Sequence, residues 1–196
     1  MPRQVFEFRD PDRFVVGTVG MPGERTFFLQ ARSGALITSA VIEKQQASVL
    51  AERIDQLLNE VREMQAEQAG EPAGEPAMIP QQTPAHLADA NPLDVPIVEE
   101  FRVGAMALGW DDSAARLVVE AHAVTEEGDS VPESGDDDTD GPDPLRVWLE
   151  PSRARAFAER ARAVVSAGRP PCPFCAQPLD PEGHICPRAN GYRRRG

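Results

Sequence analysis

The chain has 196 residues, enough for one domain of ordinary size or two small ones, and a net charge of −12. No stretch approaches the roughly 18 apolar residues of a membrane span, and the first residues lack the apolar run of a signal peptide. These features argue against a membrane partner and predict a cytoplasmic protein.

The first part of the chain predicts three strands followed by a helix. Runs typical of β-strands occur at Phe14–Gly17 and Phe27–Ala31, and a third leads to Ile42. Apolar residues then recur at steps of three and one, as an amphipathic helix requires. We assign residues 3–67 to this unit. Its helical stripe comprises Ala47, Leu50, Ala51, Ile54, Leu57, Leu58 and Val61.

Residues 68–97 predict a Pro-rich linker between two units. They contain the sequence Gly-Glu-Pro-Ala twice in succession and four further prolines. Such a composition is typical of a semi-extended, solvated segment. His86 lies in this segment, and we assign it no role.

A second unit covers residues 98–168 and has the same order of strands and helix. Strand-like runs occur at Phe101–Gly104 and Leu117–Ala121, and the helix begins at Pro151, a residue favoured at a first helical position. His122 lies on the second of these strands, and we expect a packed or surface residue there rather than a metal ligand. The helical stripe comprises Ala154, Phe157, Ala158, Ala161, Val164 and Val165.

The two units align without gaps around their helices. Residues Ile42–Arg53 share five of twelve positions with Leu149–Arg160. We therefore predict an α+β fold built by pseudo-symmetric duplication of a β-β-β-α unit. The helices would pack on antiparallel sheet, arranged as two sheets or as one joined sheet, because each unit alone leaves an open sheet edge and an apolar helix face.

An acidic insertion interrupts the second unit. The offset between aligned residues grows from 90 at the second strand to 107 at the helix, and residues 126–143 lie between these points. This segment carries nine acidic residues and no basic one. It is too polar to pack, so we expect it to be disordered.

The most specific chemical feature is a cluster of thiol and imidazole side chains in the tail, residues 169–196. Cys172, Cys175, His184 and Cys186 follow the spacing Cys-x2-Cys-x8-His-x-Cys. Two close pairs of such ligands suit tetrahedral zinc, and four protein ligands make a structural site. We predict a zinc knuckle with one zinc ion per chain. A redox dithiol and an iron–sulfur cluster are the alternatives.

Basic residues follow the last cysteine. They surround an aromatic residue and could contact a phosphate backbone or a protein partner. They could equally be solvated or fold back on the acidic insertion. The residues concerned are Arg188, Tyr192, Arg193, Arg194 and Arg195.

Two resemblances extend this interpretation. The Phe6–Gly20 block, the duplication, Cys-Pro-Phe-Cys and the Gly183–Gly191 block resemble an actinobacterial family of uncharacterised repeat proteins with a C-terminal Cys-x2-Cys/His-x-Cys motif, over nearly the whole chain. This resemblance implies an actinobacterial, cytosolic origin and no assigned activity.

The second resemblance is one of topology. Strands that feed a helix, present twice, are similar to the PC4, Whirly and Pur-type single-strand nucleic-acid binders. That likeness implies base stacking on the sheets, for which Phe27, Phe28 and Trp148 are the candidates.

We find no catalytic constellation and no Gly-rich phosphate loop in the sequence. The expected function is therefore that of a non-enzymatic, zinc-containing binding or regulatory protein with a protein partner. The alternative is a protein that binds single-stranded DNA or RNA through its sheets and its Arg-rich tail. The sequence leaves the identity of the partner and the oligomeric state open.

Overall fold

The structure is a computed structural model that describes residues 3–69, 79–125, 141–168, 172–175, 186 and 188. Within these ranges, no helix is both long enough and apolar enough to cross a membrane. The elements in chain order are β1 (Phe6–Phe8), β2 (Arg13–Val19), β3 (Thr26–Ser33), β4 (Leu36–Ile42), α1 (Lys44–Ala69), a 3₁₀ turn (Ala85–Leu87), β5 (Glu99–Asp111), β6 (Arg116–Ala123), β7 (Pro144–Leu149) and α2 (Pro151–Ser166).

The strands form one joined sheet in the order β1-β7-β6-β5-β4-β3-β2. The prediction of an antiparallel sheet is wrong at two places, because β4 pairs with β5 and β1 pairs with β7 in parallel. The parallel β4–β5 pair joins the third strand of the first unit to the first strand of the second. The long helix α1 supplies the crossover that such a pair requires.

The sheet is strongly curved, as the chain connectivity demands. Strands β1 and β2 lie at opposite ends of the strand order, yet only residues 9–12 join them. That connection spans at most about 18 Å, measured from Phe8 to Arg13. A flat sheet of seven strands would separate its edges by about 29 Å. The edges must therefore curl toward each other.

Both helices bury their apolar stripes against one face of this sheet, as their spacing predicted. Alternate strand residues and the two helices share a single core, in which Leu29, Ile54, Leu117 and Phe157 are almost fully buried. The α+β class is confirmed, and the sheet has a second face that the helices leave uncovered.

Helix α2 packs beside the edge strand β2. The rings of Phe14 and Phe157 stack with their centroids 4.6 Å apart. Arg160 donates to the carbonyl oxygen of Val16 at 2.9 Å, and Arg153 donates to the carbonyl oxygen of Pro11. Arg160 thus satisfies a backbone acceptor of the edge strand, and Arg153 satisfies one in the connection that precedes it.

Residues 79–97 run over the molecule and are called the strap below. The expectation of a solvated segment is wrong at two of these residues, because Ile79 is fully buried in the main core and Leu93 packs against Val15 and Phe28 on the second sheet face. The other residues of the strap are exposed or half-buried. A Cβ atom at Gly17 would lie 2.5 Å from the Leu93 side chain. A glycine at this position therefore lets the strap approach the sheet closely.

The two helices begin in related ways. Glu43 and Glu150 each immediately precede a helix, as the alignment predicted. The side chain of Gln46 accepts a hydrogen bond from the Glu43 backbone amide at 2.9 Å, which is half of a capping box. At α2 the corresponding signal is Pro151 in the first turn.

Candidate metal centre

Three thiols meet in the C-terminal part of the chain. One ligand atom from each of Cys172, Cys175 and Cys186 lies within 4.8 Å of the other two. Cys172 and Cys186 are buried, Cys175 is half-buried, and none of the three forms a disulfide. The fold thus brings Cys186 next to Cys172 and Cys175, although ten residues separate it from Cys175 in the sequence.

The spacing of these sulfur atoms fits a metal ion. The Sγ atoms of Cys172 and Cys186 are 3.8 Å apart. Two thiolates bonded to one zinc ion at about 2.3 Å, at the tetrahedral angle, would be separated by about 3.8 Å. A disulfide would instead require about 2.05 Å. The donor set and its geometry can therefore hold a soft or borderline metal ion.

The backbone of the Cys172–Cys175 turn supports thiolate character. The Phe174 amide donates to Sγ of Cys172 at 3.4 Å. Burial alone would raise the pKa of the Cys172 thiol, but hydrogen bonds from the Phe174 and Cys175 amides and from the other two cysteines lower that pKa below its ordinary value. Metal ligation requires the thiolate, so this environment favours binding.

Arg188 belongs to the same cluster. Its guanidinium donates to the carbonyl oxygen of Phe174 at 3.3 Å, while the Phe174 ring is exposed. The other residues predicted for this region lie outside the described residues, as does most of the acidic insertion. These residues are the fourth ligand, His184, and the basic tail residues Tyr192, Arg193, Arg194 and Arg195.

The stacking candidates on the strands are largely covered. Phe28 is buried beneath Leu93 of the strap, and Phe27 packs against the main core. The Trp148 ring carries the guanidinium of Arg9 at 4.6 Å from its centroid. These three side chains thus do not offer an open row of aromatic rings.

The structure also contains a buried cluster of titratable side chains that the sequence analysis did not predict. Arg146 on β7 donates to Oε1 of Glu120 on β6 at 2.6 Å, and Nε2 of His122 lies 3.4 Å from Oε2 of that glutamate. All three side chains are buried. The one available signal was strand alternation, which places Glu120 and His122 on the same face of β6.

A second charged network holds the strap. Asp89 pairs with Arg13 at 2.6 Å and with Arg160 at 2.8 Å, and Arg13 also pairs with Asp94 at 2.8 Å. Burial would raise the pKa of Asp89, but the Arg13 hydrogen bond, the Asn91 amide and the Arg160 charge hold it below its usual value. This network lines a cavity of about 130 Å³ beside Phe14 and Phe157. Its hydrogen bonds and ion pairs attach the strap to β2 and α2 and are explained by this structural role.

A larger groove of about 390 Å³ lies between α1 and β5. Its apolar walls include Val49, Leu57, Met106 and Leu108, with Arg53 and Glu60 among its polar residues. The opposite charges of these two residues give the groove no clear preference for a charged ligand. The residues that line this mainly apolar groove do not indicate a particular class of ligand.

Comparison with protein families identifies a match. The profile of a family described as "Protein of unknown function (DUF3090)" matches residues 6–186, a range that includes the sheet, both helices and all three cysteines. No curated protein and no solved structure matches the chain.

Proposed function

The chain belongs to the DUF3090 family of proteins of unknown function, and we propose that it is a non-enzymatic, zinc-containing binding or regulatory protein. In this proposal the α+β core is a scaffold. The cysteine cluster orders a C-terminal segment that contacts a macromolecular partner, in the first instance a protein.

One observation carries the proposal: the convergence of Cys172, Cys175 and Cys186. Three thiols lie within 4.8 Å, and the 3.8 Å Sγ–Sγ distance equals the edge of a tetrahedral zinc–thiolate site. In a reducing compartment, such a set of cysteines is more often a metal or catalytic site than a disulfide framework. Because structural zinc leaves no coordination position for substrate, this site favours a role in binding over catalysis.

Metal analysis of the purified full-length protein tests the proposal. We expect one zinc ion per chain and a loss of zinc in Cys175→Ser, because two remaining thiols and one imidazole would bind zinc far more weakly. Protein isolated under metal-sparing conditions with no bound zinc would contradict the proposal. So would an unchanged zinc content in the variant.

The fourth ligand is tested separately with a matched pair of histidines. His184 is the proposed ligand, whereas His86 is exposed in the 3₁₀ turn of the strap. We expect His184→Ala to lower zinc affinity and His86→Ala to leave it unchanged. Equal zinc affinity in both variants would remove His184 from the ligand set.

The alternatives to zinc have distinct signatures. An iron–sulfur cluster would colour the protein and give iron and sulfide in the metal analysis. A redox dithiol would bind no metal and would cycle between two free thiols and a disulfide. Colourless protein that contains zinc contradicts both alternatives.

Binding of single-stranded DNA or RNA is a second candidate function, favoured by the distribution of charge. Residues 144–196 carry a net charge of +6, in a chain whose total charge is −12. If the acidic insertion competes with nucleic acid, deleting residues 126–143 should strengthen salt-sensitive binding. A series of gel shifts without binding at low salt, with or without the insertion, would contradict this candidate.

The duplicated origin of the scaffold is part of the proposal. After β1, the order strand-strand-strand-helix occurs twice, in β2–α1 and in β5–α2. Superposition of the two units in an experimental structure, with the aligned residues in equivalent places, tests it. The actinobacterial origin and the cytoplasmic location stay predictions.

A further inference from the structure

Phe174 is an exposed aromatic side chain on a constrained backbone. Its side chain is 63% accessible, although it lies between two cysteines of the cluster. Its amide donates to Sγ of Cys172, and its carbonyl oxygen accepts a hydrogen bond from Arg188. Both backbone groups are therefore held while the ring faces solvent.

Arg188 supplies a charge next to the Phe174 backbone. One guanidinium nitrogen lies 3.3 Å from the Phe174 carbonyl oxygen, and the side chain is exposed. Proteins that bind single strands commonly combine exposed aromatic rings with arginine side chains. The ring stacks on the base, and the guanidinium contacts the phosphate.

We propose that Phe174 and Arg188 form a binding site for an unpaired nucleotide of single-stranded DNA or RNA. The proposal deepens the second candidate function, binding of single-stranded nucleic acid, and it rests on the proposed metal centre, since the cysteines hold the Phe174 backbone. It also moves the stacking contact away from the sheet, because Phe28 lies under the strap and Arg9 covers Trp148.

The charge distribution favours nucleic acid over an acidic protein surface as the ligand of an aromatic ring. A flat, exposed phenyl ring is complementary to the face of a base. Residues 169–196 carry five arginines and two acidic residues, and this net charge of +3 adds a sequence-independent attraction for phosphate. The two features together select a single strand, whose bases are accessible for stacking.

Fluorescence anisotropy with the zinc-loaded full-length protein tests the site. The probes are fluorescein-labelled single strands of RNA and DNA of mixed sequence and the corresponding duplex. We expect single strands to bind more tightly than duplex. Phe174→Ala should weaken that binding by roughly 10-fold, within the range for one stacked base, while Phe174→Tyr retains it. Met21→Ala removes another exposed apolar side chain and should leave affinity unchanged.

The salt dependence of binding tests Arg188. Arg188→Gln should reduce the slope of log K against log salt by about 0.7, the value for one phosphate contact on a single strand. The matched control is Arg53→Gln, at an exposed position on α1, and it should leave the slope unchanged.

Zinc content measured on the same samples separates the possible failures. If wild-type protein holds one zinc ion and binds no oligonucleotide, or if Phe174→Ala keeps its zinc and binds as well as wild type, the nucleotide site is wrong and the metal centre stands. If wild-type protein holds no zinc, the proposed function fails, and the nucleotide site fails with it.

Discussion

His122 is a titratable residue in a place where water is excluded. It is 1% exposed and faces Glu120 and Arg146 on the sheet face that the helices do not cover. Burial lowers the pKa of His122 below its ordinary value, and the charges of Arg3 and Arg146 act in the same direction, while Glu120 opposes them. The native state therefore favours the neutral imidazole.

This environment predicts that stability falls on mild acidification. Because the pKa of His122 is lower in the folded than in the unfolded state, the unfolded chain binds the proton first as pH falls below about 6.5. The contribution of neutral His122 to the free energy of unfolding is fully present above that pH. Below it, this contribution falls by up to about 1.4 kcal/mol per pH unit until the native pKa is reached. Urea unfolding at pH 7.5 and 5.5 measures the loss.

Replacing His122 provides the control for that prediction. His122→Gln should reduce the difference in unfolding free energy between the two pH values, whereas His86→Gln, at an exposed position, should not change it. An equal pH dependence in wild type and in both variants would assign the effect to other groups.

At the scale of elements, the strap packs more closely against the fold than its composition predicted. Its composition predicts a solvated linker, yet Leu93 fits over Gly17, and Asp89 accepts hydrogen bonds from both Arg13 and Arg160. One of these arginines comes from β2 and the other from α2. The strap therefore joins the edge strand to the last helix.

Removing the charge of Asp89 should loosen this junction. Asp89→Asn leaves the largely buried guanidinium of Arg160 without a carboxylate partner and leaves Arg13 paired with Asp94 alone, and we expect a loss of about 2 kcal/mol. This is less than the roughly 3–5 kcal/mol for a fully buried pair, because the Asp89 side chain is 24% exposed. Chemical denaturation at neutral pH measures the difference, with Asp112→Asn at an exposed position as control.

The pH dependence of this loss has a defined sign. The pKa of Asp89 is lower in the folded than in the unfolded state, so its stabilisation is present above the unfolded value of about 3.9 and disappears as pH falls through the native pKa. Wild type and Asp89→Asn should therefore converge in acid. A constant difference down to the acid transition would mean that the charge of Asp89 is not the cause.

At the scale of the whole molecule, the sheet-and-helix core and the cysteine cluster depend on different interactions. The core buries apolar residues from all seven strands and both helices, while the three cysteines lie after the end of α2. A core of this size folds without metal, whereas a short Cys-rich segment depends on metal for its order.

Chelation should therefore separate the two parts. Removing zinc should change the melting temperature of the core by less than about 2–4 °C, which corresponds to about 1 kcal/mol for a chain of this size. It should also speed tryptic cleavage at the arginines of residues 169–196. Far-UV circular dichroism and limited proteolysis measure the two effects. Loss of the core transition together with the metal would place the site within the packing of the domain.

Local patterns in the sequence were sufficient to predict much of this fold. Helical periodicity identified the buried stripes of α1 and α2, and the order of strands and helices followed from short β-prone runs. The spacing of the cysteines indicated their convergence. These features were predictable because each depends on neighbours a few residues apart, or on one chemical requirement shared by a few side chains.

Other features depended on contacts between distant parts of the chain. The strand β1, the parallel β4–β5 pair, the burial of the strap and the Glu120–His122–Arg146 cluster each join segments that lie tens of residues apart. Composition predicts solvation for a polar or Pro-rich segment on its own, but a partner such as Arg160 can offset the cost of burying a charged residue such as Asp89. The sequence alone determined α1, α2, the strands β2–β7 and the spacing of the cysteines, and only the tertiary structure decided which polar groups are buried and that Phe174 is left exposed.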